Sequence, residues 1–356
     1  MKQKQVLLTQ VGGPEVLEVV ERDVPEPGPG EVRVKILATG VAFADVMMRH
    51  GKYPGVPEPP FTPGYDLVGE AEKLGPGVSE VAVGQRVAAL TQIGAYSQYV
   101  SLLAGELVPV PDDVDIAEAA SLPVNYVTAH QMLFRVAQVQ PAQKILVYGA
   151  AGGVGTALLQ LGELQGLEMY GTASAEKHEL VASLGATPID YRTEDFVERI
   201  RVLTGDGVDA VFDPIGGANV VRSWRTLRRG GRLVGYGLSS GLAGGNSLGL
   251  AVATLGRIAL WNTLPNSKKA SFYVITRFKE KHPEWFEEDL VLLLGLLAEG
   301  WIKPVVAERL PLEGVVRAHE LMENAGTRGK LVLLPNGEPG AQAGANRRGR
   351  AARPVP

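Results

Sequence analysis

The sequence predicts a two-part α/β fold, a compact β-rich domain followed by a doubly wound parallel sheet. Three observations carry that prediction. Residues 1 to about 122 alternate short β-rich runs with turns dense in proline and glycine. From Asn125 onward strands and helices alternate in order, the pattern of a parallel sheet covered on both faces. At Lys144-Ile145-Leu146-Val147-Tyr148-Gly149-Ala150-Ala151-Gly152-Gly153-Val154-Gly155 a short apolar strand runs into a glycine cluster that opens a helix. With 356 residues, 45% of them hydrophobic, the chain can bury a sizeable core divided between two domains.

In the first part, runs such as Val32-Arg33-Val34-Lys35-Ile36-Leu37 are separated by turns such as Pro25-Glu26-Pro27-Gly28-Pro29-Gly30, which gives a mostly antiparallel β domain. The second part begins with a helix from Asn125, then the strand Ile145-Leu146-Val147 and a helix from Thr156 to Gly166. Further strands are expected at Glu168–Thr172, Thr187–Tyr191, Val208–Asp213 and Arg232–Gly237, with helices between them. Past Gly237 the composition indicates a Gly- and Ser-rich loop over 238–249, then helical material and a further strand at Ser271–Ile275. Residues 248–261 are the most membrane-like, but they fall short of the ~20 apolar residues a span needs and include Arg257, so they read as a buried helix. The last ordered element is expected at Gly329–Leu334, and residues 336–356, mostly Gly, Ala, Arg and Pro, are expected to form a disordered, solvated tail. No internal repeat is present.

Composition excludes several functions. The formal net charge of −4 offers no global attraction to nucleic acid or to an anionic membrane. The absence of cysteine removes disulfides, thiolate zinc sites and cysteine-dependent catalysis, and fits a reducing, cytoplasmic setting. The N-terminal segment lacks the apolar run of a secretory signal. His50, His130, His178, His282 and His319 show no ligand-like spacing, so no metal site is expected.

The glycine cluster indicates a bound dinucleotide. Glycine lets the chain turn sharply and brings bare backbone up to a pyrophosphate, whose charge is met by free amides at the helix N-terminus. Cofactor choice is read near the end of the second strand, where an acidic residue would hold a ribose 2′-hydroxyl. Ser174, 19 residues beyond Gly155, lies instead in Thr172-Ala173-Ser174-Ala175-Glu176-Lys177. A hydroxyl and an ammonium suit a 2′-phosphate, which favours NADP over NAD. The alternative is that Ser174 caps the next helix and Lys177 is merely solvated. Tyr191 and Arg192 follow the third strand, where either could touch adenine or phosphate or simply pack on the surface. Gly237-Leu238-Ser239-Ser240-Gly241 matches a hydrolase nucleophile elbow, but the serine enters a Gly-rich loop and reads better as part of a cofactor-contacting loop.

Gly40-Val41-Ala42-Phe43-Ala44-Asp45, Thr62-Pro63-Gly64-Tyr65-Asp66, Val83-Gly84-Gln85-Arg86-Val87, the Gly152 cluster and Gly329-Lys330 together resemble the medium-chain dehydrogenase/reductase superfamily, from about residue 6 to 335. Within it the chain is similar to the zinc-free quinone oxidoreductases and to the vesicle amine transport protein 1 homologue branch. That closer likeness rests on Leu122-Pro123-Val124-Asn125-Tyr126-Val127-Thr128-Ala129, Gly171–His178 and Pro188–Tyr191. The resemblance implies a GroES-like catalytic domain over 1–122 and 281–335, a Rossmann NADPH-binding domain over 123–280, an active site in the cleft between them, and a homodimer. Ala42 and Tyr65 stand where zinc-dependent relatives hold ligands, so no catalytic metal is implied. Zinc-free relatives often carry asparagine where this chain has Ala42.

Carried over by position, the resemblance implies that Ser174, Lys177 and Tyr191 bind the 2′-phosphate end and that Gly152, Gly153 and Val154 line the pyrophosphate. Thr128 and Lys330 would lie near the nicotinamide, and Tyr236 joins the cofactor set. Asn125 and Tyr53 are the groups that would orient or protonate a substrate oxygen. The expected function is a zinc-independent NADPH-dependent reductase of a small-molecule quinone or α,β-unsaturated carbonyl. The alternatives are an NADPH-binding scaffold with a lipid or membrane-associated transport role and, third, an enoyl-thioester reductase.

Overall fold

A computed structural model describes residues 1–243, 247–265, 267–324 and 326–338. The chain forms two compact units, one made of Met1–Val124 together with the segment from Leu290 onward, the other of Asn125–Asp289. In the first, strands β1 (Lys2–Leu8) and β2 (Leu17–Asp23) make an antiparallel pair. A larger sheet is built around the long strand β3 (Glu31–Val41). It adds β4 (Asp66–Leu74), β5 (Arg86–Leu90), β6 (Tyr99–Leu103) and β7 (Val108–Pro109), all antiparallel to their neighbours. Val32, Val34 and Ile36 alternate along β3 and are fully buried, with Leu67, Ala71, Val87 and Ala89 packed against them. Their period of two is what a sheet with one apolar face requires.

The second unit is a six-stranded parallel sheet. Its strands are β8 (Lys144–Tyr148), β9 (Glu168–Ala173), β10 (Ala186–Asp190), β11 (Val208–Asp213), β12 (Leu227–Gly235) and β13 (Lys269–Phe272). Their spatial order is β10-β9-β8-β11-β12-β13. The order reverses between β8 and β11, and in such sheets ligands bind at that reversal, beyond the strands' carboxyl ends. Ile145, Leu146, Val147, Val211, Phe212 and Leu233 are wholly buried, as expected of strands covered on both faces. Helices Gly153–Leu164, His178–Ser183, Phe196–Thr204 and Asn219–Thr226 connect the strands. Asp195 caps Phe196–Thr204 by accepting from the amides of Val197 and Glu198.

The chain then returns to the first unit. Strand β14 (Val306–Pro311) pairs in parallel with β15 (Lys330–Leu334), and β15 lies antiparallel to β3, with Val332 opposite Gly40. The sheet is therefore completed by residues from the far end of the sequence. Asn336 Nδ2 donates to the carbonyls of Ile36 (2.9 Å) and Gln98 (3.0 Å), so the segment after β15 starts fastened to the sheet. The rest of the expected tail, residues 339–356, lies outside the described residues.

Two expectations need correction. The loop expected over 238–249 is interrupted by a short helix, Ser240–Ala243, and helix Ser247–Thr263 begins before its end. Ser240 starts the first of these because its hydroxyl donates to the Ile215 carbonyl (2.7 Å), a contact that local composition does not reveal. The apolar run 248–261 is helical as expected but is not buried. Thr254 and Ile258, four residues apart, face inward, whereas Val252, Leu255, Leu260 and the following Leu264 are 64%, 45%, 58% and 46% exposed. No helix among the described residues is long and apolar enough to cross a membrane.

Candidate active site

The turn after β8 is shaped by backbone contact. Gly149 adopts φ +60°, the left-handed region open to glycine, and its carbonyl accepts from the amide of Gly152 (2.9 Å). A Cβ on Gly155 would sit 2.2 Å from that same carbonyl oxygen, so helix Gly153–Leu164 can close onto the strand only with glycine there. The first-turn amides, including those of Gly153 and Val154, lack intrahelical partners and form the positive end of the helix dipole. Asn125, 5% exposed, reaches this turn, since a Cβ on Gly153 would lie 2.3 Å from its Nδ2. Gly152, Gly153, Val154 and Asn125 are thus brought together at the switch point.

At the next strand end, β9 and β10 run side by side with Ala173 opposite Asp190, which places Ser174 beside Tyr191. Ser174 is buried and its Oγ donates to Glu176 Oε1 (2.6 Å). It stands at the cap position of the following turn without a side-chain capping bond. The Ser174 hydroxyl, then the Glu176 backbone amide and, more weakly, the Arg192 and Lys177 charges hold the Glu176 carboxyl below its ordinary range. Arg192 pairs with Glu176 (3.5 Å) and its guanidinium lies 5.8 Å from the Tyr191 ring centre. Lys177 is half-buried on the same turn, and Tyr191 is 51% exposed. Glu176, the one acidic residue of this turn, is thus paired with Arg192, which offsets its charge.

Thr128 and Tyr236 sit elsewhere on this unit. Thr128 is 5% exposed and hydrogen-bonds Tyr273, whose phenol burial pushes far up. Tyr273 in turn donates to Gln131 Oε1 (2.8 Å), and Gln131 donates to Asp289 (2.8 Å). This buried chain fixes the short helix Val127–His130 and leaves no local signal in the sequence, because its members are scattered over more than 150 positions. The Tyr236 amide donates to the carbonyl of Asp213 at the end of β11 (3.0 Å). The Asp213 carboxylate is wholly buried and accepts from the amides of Ile215 and Gly216, from Asn219 and from Ser223, which holds the loop after β11 in place.

The remaining residues belong to the first unit. Lys330 Nζ lies 3.1 Å from Asp66 Oδ2, with both side chains buried, and Asp66 Oδ1 accepts from the amide of Gly40 (2.8 Å). Gly40 is required, because a Cβ would fall 1.9 Å from Lys330 Cε. The carboxylate of Asp45, also wholly buried, accepts from the amides of Ala42 (2.8 Å) and Gly64 (3.2 Å) and from the hydroxyl of Tyr96 (3.0 Å). Desolvation pushes Asp45 up to about 7 despite these bonds and the Lys330 charge. Tyr53 and Tyr65 meet hydroxyl to hydroxyl at 2.7 Å. Positions 42 and 65 carry alanine and tyrosine, and among the described residues no group of three or more His, Cys, Asp or Glu is placed to hold a metal ion.

Two predictions arise from these buried carboxylates. Lys330→Ala leaves Asp66 charged and unpaired and is expected to destabilise by about 3–5 kcal/mol, with Lys330→Met less harmful, read from urea unfolding midpoints. Asp45 keeps in the folded state a proton that the unfolded chain releases. Its stabilising contribution is therefore complete below about pH 4 and is lost as the pH rises through about 7. Asp45→Asn is expected to flatten the fall of unfolding free energy across that window; an unchanged slope would show that Asp45 is not the group responsible.

Residues 28–112 match the alcohol dehydrogenase GroES-like domain and residues 184–333 the zinc-binding dehydrogenase family. The synaptic vesicle membrane protein VAT-1 homolog of Rattus norvegicus is 34% identical over 94% of this chain and 84% of its own length. A quinone oxidoreductase of Rattus norvegicus is 30% identical over 93% of this chain and 97% of its own. The crystal structure of Escherichia coli quinone oxidoreductase, solved in complex with NADPH, superposes with a TM-score of 0.84 at 31% identity, covering 93% of this chain and all of that one. A GroES-like unit and a doubly wound parallel sheet, matched along nearly their whole length to such relatives, place this chain in the medium-chain dehydrogenase/reductase family.

Proposed function

We propose that the protein is an NADPH-dependent reductase that needs no bound metal and acts on a quinone or an α,β-unsaturated carbonyl. The observation that carries this reading is the pairing of a glycine turn at the sheet's switch point with a hydroxyl and an ammonium, Ser174 and Lys177, at the next strand end. Gly152, Gly153 and Val154 would present amides to the pyrophosphate, and Ser174, Lys177 and Tyr191 would hold the 2′-phosphate. Thr128, Tyr236 and Lys330 complete the proposed cofactor-facing set. When bound, NADPH supplies the hydride. The chain's own part is to orient the acceptor, with Asn125 as a donor near the glycine turn and Tyr53 as the proton source for the acceptor's developing oxygen anion. The likeness to quinone oxidoreductases supports the acceptor class, and the NADPH bound to the Escherichia coli relative supports the cofactor.

Protein-dependent oxidation of NADPH, with NADH in parallel, against a panel of quinones and enones tests this directly. Turnover favouring NADPH is expected, and Lys177→Ala should reduce that preference roughly 10- to 100-fold, the worth of a charge-assisted hydrogen bond. An unchanged preference would remove Lys177 from the phosphate site. Tight NADPH binding without turnover on any acceptor would favour a scaffold with a lipid- or membrane-associated role.

We also propose a homodimer formed through the face of helix Ser247–Thr263. Val252, Leu255 and Leu260 leave an apolar surface open to water, and β13 beside it is the edge strand of its sheet. Both features call for a covering partner, and a second copy related by twofold symmetry covers both at once. Light scattering should give twice the chain mass, falling to one chain for Leu255→Glu combined with Leu260→Glu. A monomeric parent protein would end this proposal.

A further inference from the structure

Two tyrosines of the first unit form a pair whose geometry suits it for handling a proton. Tyr65, just before β4, is 2% exposed, while Tyr53, in the loop after helix Phe43–Arg49, is half-buried. Their hydroxyl oxygens are 2.7 Å apart. Their rings meet edge to face, with centroids 6.1 Å apart and planes at 82°, so neither oxygen can swing away without moving its ring. Each phenol can donate one hydrogen and accept another. In such a pair one hydrogen lies between the two oxygens and the other is directed outward. Burial raises the Tyr53 phenol above its ordinary value, the Tyr65 hydroxyl opposes that rise, and the Asp45 carboxylate adds to it. A ring as deeply buried as Tyr65 could pack equally well as phenylalanine, so its hydroxyl calls for a separate explanation.

We infer that Tyr65 is a positioning residue for Tyr53. By donating its hydrogen to the Tyr53 oxygen it directs the Tyr53 hydrogen outward toward the acceptor and then stabilises the Tyr53 phenolate. This rests on the reductase reading above, in which Tyr53 is the proton source. In balance, the hydride passes with its electron pair from NADPH to a carbon of the acceptor, whose oxygen becomes anionic. The Tyr53 O–H bond breaks as an O–H bond forms on that oxygen. Tyr65 keeps its proton throughout, and the more exposed Tyr53 is reprotonated by water. The sum is NADPH, acceptor and one proton giving NADP and the reduced acceptor.

The test compares Tyr65→Phe, Tyr53→Phe and the double variant in single-acceptor kinetics, with NADPH binding and thermal unfolding measured on each. Tyr65→Phe is expected to lower kcat about tenfold, the worth of a hydrogen bond to a charged oxygen. It should leave NADPH binding and the unfolding temperature unchanged and increase the solvent deuterium isotope effect on kcat. In the Tyr53→Phe background the second substitution should cost nothing more, because the group it serves is gone. A Tyr65→Phe variant with parental kcat overturns the inference, as does a loss that multiplies with that of Tyr53→Phe. If the parent turns over and Tyr53→Phe is silent, the inference falls while the reductase reading stands. A parent that turns over none of the acceptors overturns both.

Discussion

The buried ion pair between Lys330 and Asp66 ties the first unit together. It joins β15 to β4 across β3, and the lysine stem passes over the one position on β3 where it finds no side chain, Gly40. Asp66 also receives the Gly40 amide, and its own carbonyl receives the Thr39 hydroxyl (2.6 Å), so three strands are pinned at one point. Breaking such a pair strands a charge in a dry interior, which makes any register that separates the two residues costly. The two segments that flank this point, 42–45 and 63–66, carry Ala42, Asp45, Gly64 and Tyr65. Asp45 links one to the other through the amides of Ala42 and Gly64. The geometry of the proposed acceptor site thus depends on a contact between residues 264 positions apart.

Much of this architecture is legible in the sequence, for a physical reason. Strands covered on both faces must be apolar throughout, and Ile145-Leu146-Val147 and Val208–Asp213 show that pattern without any knowledge of their neighbours. The glycine turn is legible because its constraint is local: Gly155 meets the carbonyl of Gly149 within the same turn. Long-range partners were hidden. Nothing near Lys330 in the chain announces Asp66, and nothing near Ser240 announces the Ile215 carbonyl that starts its helix. The helix Ser247–Thr263 misleads for a different reason. An apolar run indicates that water is unfavourable for it, but it does not say whether the cover comes from the same chain.

The proposed phosphate end shows how composition can understate a site. An acidic residue near the end of the second strand ordinarily argues for a ribose hydroxyl. Here Glu176 is engaged by Ser174 on one side and Arg192 on the other. Both Glu176 and Arg192 are largely exposed, and ion pairs of that kind contribute little, about 0–1 kcal/mol. Such a pair rearranges readily, so an incoming anion could recruit Arg192 without a large penalty. In the proposed site the Glu176–Arg192 pair thus leaves Ser174 and Lys177 to meet the anion.

The return of the chain to its first sheet has a consequence for synthesis. Strand β3 emerges long before its partner β15 and the lysine that neutralises Asp66. The parallel-sheet unit, Asn125–Asp289, is continuous and can assemble as soon as it leaves the ribosome. Until β15 emerges, the C-terminal end of β3, Thr39 to Val41, lacks its neighbour and Asp66 its counter-charge. The nascent chain therefore carries an open sheet edge until β15 appears, and of the two units the one begun first is finished last.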